Sequence, residues 1–225
     1  MLSLITRPLA QSIDLQDLLK TKNIDSIIEP MIEIMPIPMD EITNIAQDFI
    51  IITSANAIRC FSCLTRERSA KMLVIGRDSA QLANMLGFYN IVHIAQDVDE
   101  LIKFINNNIK GSMLYLRSDH ITKDLKAIIG AEEIIIYKSI SAKSLSKEVI
   151  SHIMAGRINH IWFFSKRSAQ IFMSLAKQYQ IEKHLNNIII LAISDNVAKI
   201  LVERSWKKIL IARNPSQEAM VELVL

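Results

Sequence analysis

No apolar run in this sequence approaches the roughly 18 residues a membrane span needs, although half of its 225 residues are hydrophobic. That combination predicts a core-rich soluble chain with no membrane partner. No charged segment precedes an apolar one near the start, where Arg7 directly follows a strand-like run, so no secretory signal is expected and the cytoplasm is the expected location. Net charge is only +3, with no Lys/Arg block and no DNA-reading motif, which argues against a nucleic-acid partner. Cysteine is scarce: the only two are Cys60 and Cys63, a redox-like spacing. A redox pair normally opens a helix, where the dipole lowers a thiol pKa, whereas these lie well beyond Ser54, so the expectation is two small buried residues one turn apart. The five histidines are scattered without zinc-ligand spacing, which predicts no metal. Glycine is scarce too, and Gly76 stands alone, so neither a dinucleotide fingerprint nor a P-loop is present. There is no Gly-x-Ser-x-Gly elbow and no obvious carboxylate pair. If the chain is an enzyme, it works with no cofactor, by binding energy, electrostatics and one acid.

What is present is an alternation of strand and helix patterns, laid down twice. Thr6-Arg7 closes one apolar run and Arg117-Ser118 another, each followed by a helix-length segment and a second apolar run. Arg7 to Arg117, Ser54 to Ser165 and Ala80 to Ala198 keep spacings of 110, 111 and 118 residues. Repeats of that length exceed solenoid units and predict two related domains. Pro8 opens the first helix at N1. Pro30, Pro36 and Pro38 make 31–39 extended, a first crossing between lobes. A short helix is expected over Ile42–Phe49, then a strand at 50–53 and a helix capped by Ser54. Further helices are expected at 80–86, closed by Gly87, at 97–106, 121–129, 145–155, 169–179, 197–203 and 218–225. Strands separate them, so both sheets should be parallel and doubly wound. The strand Glu133–Ile140 is apolar apart from one phenol, Tyr137.

Ligands of such sheets lie outside the carboxyl ends of the strands. The sequence places Thr6-Arg7, Thr53-Ser54, Arg77-Asp78-Ser79, Arg117-Ser118-Asp119, Ser165-Lys166-Arg167 and Ser194-Asp195-Asn196 there. Four of the six carry an arginine, and helix N-termini add free N–H groups. Such groups suit a ligand with several carboxylates. Ser54, Ser79 and Ser165 are equally explained as helix N-caps, and the two roles are compatible.

Several motifs, weak singly, are together similar to the uroporphyrinogen-III synthase family. They are Leu-Ile-Thr-Arg-Pro at 4–8, Ile-Ile-Thr-Ser-Ala-Asn-Ala at 51–57 and Val-Ile-Gly-Arg-Asp-Ser-Ala at 74–80. Ile-Tyr-Lys-Ser-Ile at 136–140, Phe-Phe-Ser-Lys-Arg-Ser-Ala at 163–169 and Ile-Ala-Arg-Asn-Pro-Ser at 211–216 complete the set. The resemblance spans nearly the whole chain. It implies two flavodoxin-like lobes, 1–30 with 142–225 and 38–133, joined by a two-stranded linker of 31–37 and 134–141. Each lobe would borrow its first βαβ unit from the other half of the sequence. The implied reaction closes linear hydroxymethylbilane, loses its hydroxyl as water and inverts ring D through a spiro intermediate, in a cofactor-free lyase acting as a monomer. The substrate's eight carboxylates suit the strand-end arginines. By this resemblance Tyr137 falls on the family's linker tyrosine and the catalytic role, Ser54 and Ser165 on strand-end serines, and Ser79 on a position usually Thr. The second half departs: Ser194-Asp195-Asn196-Val197-Ala198 replaces Gly-x-x-Thr-Ala, so Val197 offers no hydroxyl and Asn196 is the substitute ligand. The rival reading is a two-lobed anion-binding or regulatory module without chemistry.

Overall fold

The structure is a computed structural model and describes every residue except Asn44, Thr122 and Arg204. Its first half contains β1 (Leu2–Ile5), α1 (Leu9–Thr21), β2 (Asp25–Ile28), β3 (Ile32–Pro36), β4 (Phe49–Ile52), α2 (Ala55–Leu64), β5 (Met72–Ile75), α3 (Arg77–Met85), β6 (Ile91–Ala95) and α4 (Val98–Asn108). The second contains β7 (Met113–Ser118), α5 (Leu125–Ile129), β8 (Glu132–Ser141), α6 (Lys147–Met154), β9 (Ile158–Phe163), α7 (Lys166–Gln178), β10 (Ile189–Ala192), α8 (Asp195–Ala198), β11 (Lys208–Ile211) and α9 (Gln217–Val221). These form two compact units, Met1–Glu33 with Ile140–Leu225, and Ile34–Ser139.

The first unit has a five-stranded sheet ordered β2-β1-β9-β10-β11, with every neighbouring pair parallel. Counted along the unit this is 2-1-3-4-5, the flavodoxin-like order. The second unit repeats it as β8-β7-β4-β5-β6, again parallel. In each, a βαβ unit (β1-α1-β2 or β7-α5-β8) lies beside a βαβαβ run from the other half of the sequence. One strand departs from the expected all-parallel pattern. β3 flanks β8 at the sheet edge, and Ile37 N–H bonds the Ile136 carbonyl while Ala142 N–H bonds that of Met31 (both 3.0 Å). Residue numbers rise on one strand as they fall on the other, so this pair is antiparallel. An edge tolerates Pro36, which has no N–H to give.

Strand side chains alternate between two apolar layers in each unit, as the period of two requires. Ile50 and Ile52 of β4 join Leu114 and Leu116 of β7 on one face, and Ile51 joins Leu73 and Tyr115 on the other. In the first unit Leu4, Ile161 and Phe163 share one face, Ile5 and Trp162 the other. Each such fully buried side chain contributes roughly 1.5–3 kcal/mol by leaving water.

The expected helix over 42–49 is not there: among the described residues this stretch is irregular until β4, and Asn44 lies outside them. Its isoleucines do pack, Ile42 and Ile45 lying on the α2 side of the sheet, and Ile42 N–H bonds the Leu64 carbonyl (2.7 Å). The helix expected over 121–129 is shorter, starting after Asp124, whose carboxylate caps Ala127 N–H at 2.9 Å; Thr122 lies outside the described residues. The helix expected over 197–203 is instead α8 followed by turns, and the last one gives way after Val221 to a 3-10 turn. Pro8 stands at the N-cap of α1, one position before N1. Of the two cysteines only Cys60 is buried, on the core face of α2; Cys63 is exposed.

Candidate functional site

At the carboxyl end of β4, Thr53 and Ser54 turn the chain into α2. Ser54 has extended backbone and its Oγ accepts the Ala57 N–H at 3.3 Å, the N-cap geometry that its residue type favours. The same Oγ lies 3.0 Å from the Tyr137 hydroxyl. Thr53 forms the matching pair on the opposite face, its Oγ1 being 3.0 Å from the Tyr115 hydroxyl. Two phenols thus end beside one strand terminus, each held by an aliphatic hydroxyl.

Tyr137 reaches Ser54 because β8 is irregular. Arg117 of β7 pairs with Ile135, but the next residue, Ser118, pairs with Tyr137, so Ile136 is an extra residue in β8. Such a bulge re-aims the side chain that follows it. Ile136 and Tyr137, neighbours that regular alternation would put on opposite faces, accordingly lie in the same apolar layer with Ile52, Phe61 and Cys60. The Tyr137 ring is 5% exposed. Burial pushes its pKa above the ordinary value of 10.0, and the hydrogen bond with Ser54 opposes that rise. Burial also raises Tyr115 and pushes the Cys60 thiol up to about 11, the reverse of a redox thiol.

Behind the phenol, Arg117 grips Glu133 across the strands through Nε (2.9 Å) and Nη2 (2.8 Å), and Nη1 donates to the Ser118 carbonyl (2.8 Å). The fork raises the guanidinium pKa and lowers that of the Glu133 carboxyl, by direct hydrogen bonding first.

The carboxyl ends of the first unit's sheet carry a second group of polar side chains. Thr6 is fully buried and its hydroxyl donates to the Trp162 carbonyl at 2.5 Å, so it serves the sheet. Arg7 donates from Nη1 to Gln217 Oε1 (2.7 Å) and lies 4.0 Å over the Phe164 ring, which orients its guanidinium. Ser165 caps α7, its Oγ accepting the Ser168 N–H at 3.0 Å. Asn196 is exposed in the first turn of α8, and Val197 beside it is buried in the core.

The sequence model of one family, described as Uroporphyrinogen-III synthase HemD, matches residues 13–222. The chain belongs to the uroporphyrinogen-III synthase family. A solved mutant uroporphyrinogen III synthase from the extremely thermophilic bacterium Thermus thermophilus is similar over 100% of this chain and 96% of its own, at 12% identity and a TM-score of 0.55, a likeness of fold. Another Thermus thermophilus uroporphyrinogen III synthase structure matches over 99% and 97%, at 13% identity and a TM-score of 0.42. No curated protein matches the sequence.

Against this family frame, the structure brings together Ser54 and Tyr137, 83 positions apart in sequence. Ser165 and Arg7 stand at strand ends in the first unit. Ser79 is not the N-cap expected of it: Gly76 occupies that position with φ 86°, a conformation costly for other residues, and Ser79 is buried within the first turn of α3. Arg117, read from sequence as a carboxylate ligand, spends its fork on Glu133 inside its own sheet. Residues that the sequence reading missed are Glu133, Tyr115 and Gln217. Ser118 was already placed at a strand end, in the Arg117-Ser118-Asp119 turn.

Proposed function

We propose that this protein is a lyase that closes hydroxymethylbilane to uroporphyrinogen III with loss of water and inversion of ring D, and that Tyr137 is its acid. The observation that carries this reading is the buried Tyr137 phenol hydrogen-bonded to the N-cap serine of α2 at a strand's carboxyl end. Loss of the substrate hydroxyl breaks a C–O bond, and the oxygen takes the electron pair. A pyrrole nitrogen supplies electrons to the carbon left behind, and Tyr137 supplies the proton that turns the leaving oxygen into water. A phenol whose pKa lies above 10.0 is fully protonated at neutral pH and needs no tuning to donate.

The Ser54 hydroxyl has one proton, and its oxygen already accepts from Ala57. Donating to Tyr137 leaves the phenolic proton free for the substrate, and the same bond stabilises the phenolate afterwards. The positive end of the ten-residue α2 adds to this. Closure through the spiro intermediate finally releases a proton from a ring carbon, which restores the phenol. Atoms then balance as one bilane to one macrocycle and one water.

Arg7 and Ser165 in one unit and Ser54 and Ser79 in the other are assigned to the substrate's carboxylates, with Asn196 as an exposed amide donor. Arg117 we assign to holding β7 and β8 in register instead. The protein acts as a cytoplasmic monomer without nucleic acid or cofactor.

The deciding experiment is an isomer assay with freshly generated hydroxymethylbilane and chelator-treated protein. The type III isomer is expected, whereas spontaneous closure gives type I; an unchanged type I product sinks the reading. Carboxylate binding by Arg7 makes a separate prediction. Arg7→Ala should raise KM about tenfold with a smaller change in kcat, since a charge-assisted bond worth ~1.5 kcal/mol is lost equally from ground and transition states. Steady-state kinetics with unaltered KM would return Arg7 to a role in packing against Phe164.

A further inference from the structure

β7 ends at Ser118 whereas β8 runs on to Ser141, so β8 outlasts its partner just past Tyr137. The register that sets Ser118 opposite Tyr137, continued by one residue, sets Asp119 opposite Lys138. In a parallel ladder a residue so placed bonds the opposite strand twice. Its N–H goes to the carbonyl before its opposite number, and its own carbonyl takes the N–H after it. Asp119 keeps the first bond, donating its N–H to the Tyr137 carbonyl at 3.2 Å. For the second it substitutes its side chain, Oδ1 accepting the Ser139 N–H at 2.9 Å. The backbone is thereby let go from the ladder and turns off β7, held by the Ser118 Oγ, which donates to the His120 carbonyl and accepts the His120 N–H at 3.2 Å. On the opposite edge of β8, the Ile37 N–H bonds the carbonyl of Ile136, the bulge residue, at 3.0 Å.

We propose that Asp119 is a positioning residue for Tyr137: its N–H and its carboxylate hold β8 on both sides of Lys138 and so fix the direction in which the phenol leaves the strand. This rests on the reading of Tyr137 as the acid. A bulge disrupts the ladder locally, so the residue after Ile136 needs its backbone fixed from elsewhere. The hydroxyl sits at the far end of the ring, where a small backbone rotation is magnified, and a misplacement of about 1 Å can cost ~10²-fold in rate. Ser54 meets that hydroxyl at 3.0 Å, a contact that a shifted strand would lose. The charge of Asp119 is no help with substrate, since a carboxylate at a strand's carboxyl end repels a ligand rich in carboxylates. Its use is as an acceptor. Asp119 is also exposed, so removing its side chain leaves the apolar layers whole.

The test is a double-mutant cycle with Tyr137→Phe. Asp119→Ala should lower kcat roughly tenfold with KM nearly unchanged, and the Ser139 amide should exchange its hydrogen faster. Asp119→Asn keeps an Oδ1 acceptor and loses the charge, so it should turn over like the parent. In the Tyr137→Phe background no phenol is left to aim, and Asp119→Ala should change kcat no further. If Asp119→Ala does not fold, Asp119→Glu, which moves the acceptor by one methylene, takes its place in the cycle. Parental kcat in Asp119→Ala, an equal loss in both backgrounds, or an Asn variant as slow as the Ala variant overturns the role of Asp119 and leaves the acid standing. Parental turnover in Tyr137→Phe alone removes the acid, so the two failures are distinct.

Discussion

Replacing Tyr137 by Phe is expected to lower kcat at least about tenfold, within the ~10² to 10⁴ that general-acid help is worth, while the fold survives. The ring and its contacts with Ile52 and Phe61 remain, and only the hydroxyl that meets Ser54 goes. Ser54 keeps a partner after the change, because its Oγ still caps Ala57. The pH profile separates an acid from a packing residue. The folded-state pKa of Tyr137 is raised, so the acid is present below the ordinary value of 10.0 and disappears only as pH climbs through the higher folded value. The parent should therefore show an alkaline fall in kcat above pH ~10, and the variant, already without the acid, should lose that limb. Stability moves the same way. A neutral phenol that is harder to ionise folded than unfolded stabilises the protein fully below the unfolded pKa, and that stability drains as pH rises above it. Cys60, displaced from 9.0 to about 11, adds a second loss across that window. Circular dichroism at each pH must accompany the rate measurements. Parent-like turnover in Tyr137→Phe would reduce the residue to packing.

The strand and helix order was legible because nearly every buried strand is a short apolar run beside a polar turn, and because Ser54, Ser165 and Asp97 announce their helices as caps. The bulge at Ile136 was not. Glu133–Ile140 reads as an unbroken strand, and the extra residue exists only relative to the register of β7. Arg117 was misread for the same reason: Glu133 becomes its partner through strand pairing, 16 positions away in sequence. The apolar spacing over 42–49 was real but ambiguous, since isoleucines packing from an irregular segment and isoleucines on a helix face leave the same trace. At Gly76 the clue was present. A lone glycine after a strand, with φ 86° in the structure, marks the turn that moved the cap away from Ser79. Val197 shows the converse: where the family pattern offers a hydroxyl, this chain turns an apolar side chain into the core.

Arg68→Ala should cost roughly 3 kcal/mol, from the loss of charge-assisted hydrogen bonds worth ~1.5–3 kcal/mol each, reduced because water replaces some of them. The helix α2 ends awkwardly. Its C-cap Thr65 is extended, no basic residue lies in its last turn, and no glycine follows to close a left-handed cap. Its last carbonyls need partners all the same. Arg68 supplies them from beyond the helix, donating to the carbonyls of Ser62 (3.1 Å), Thr65 (2.5 Å) and Glu67 (3.2 Å). Its Nε reaches the Leu86 carbonyl at the end of α3 (3.0 Å), so one guanidinium serves two helix ends. The same group lies 4.6 Å over Phe88, which stacks at 5.2 Å on Phe61 of α2. Gly87, at φ 90°, leaves room for it; a Cβ there would meet Arg68 Cδ at 3.4 Å. Arg68→Lys keeps the charge but not the fork, and should recover less than half of the loss. For a unit of this size the alanine variant should melt roughly 12–24 °C lower, at about 4–8 °C per kcal/mol for small domains; a shift under about 3 °C would mean that water replaces the guanidinium. Ser54 caps the opposite end of α2, about 15 Å away at 1.5 Å per residue. Turnover measured well below the melting transition should therefore stay near that of the parent, separating the loss of stability from the chemistry at Tyr137.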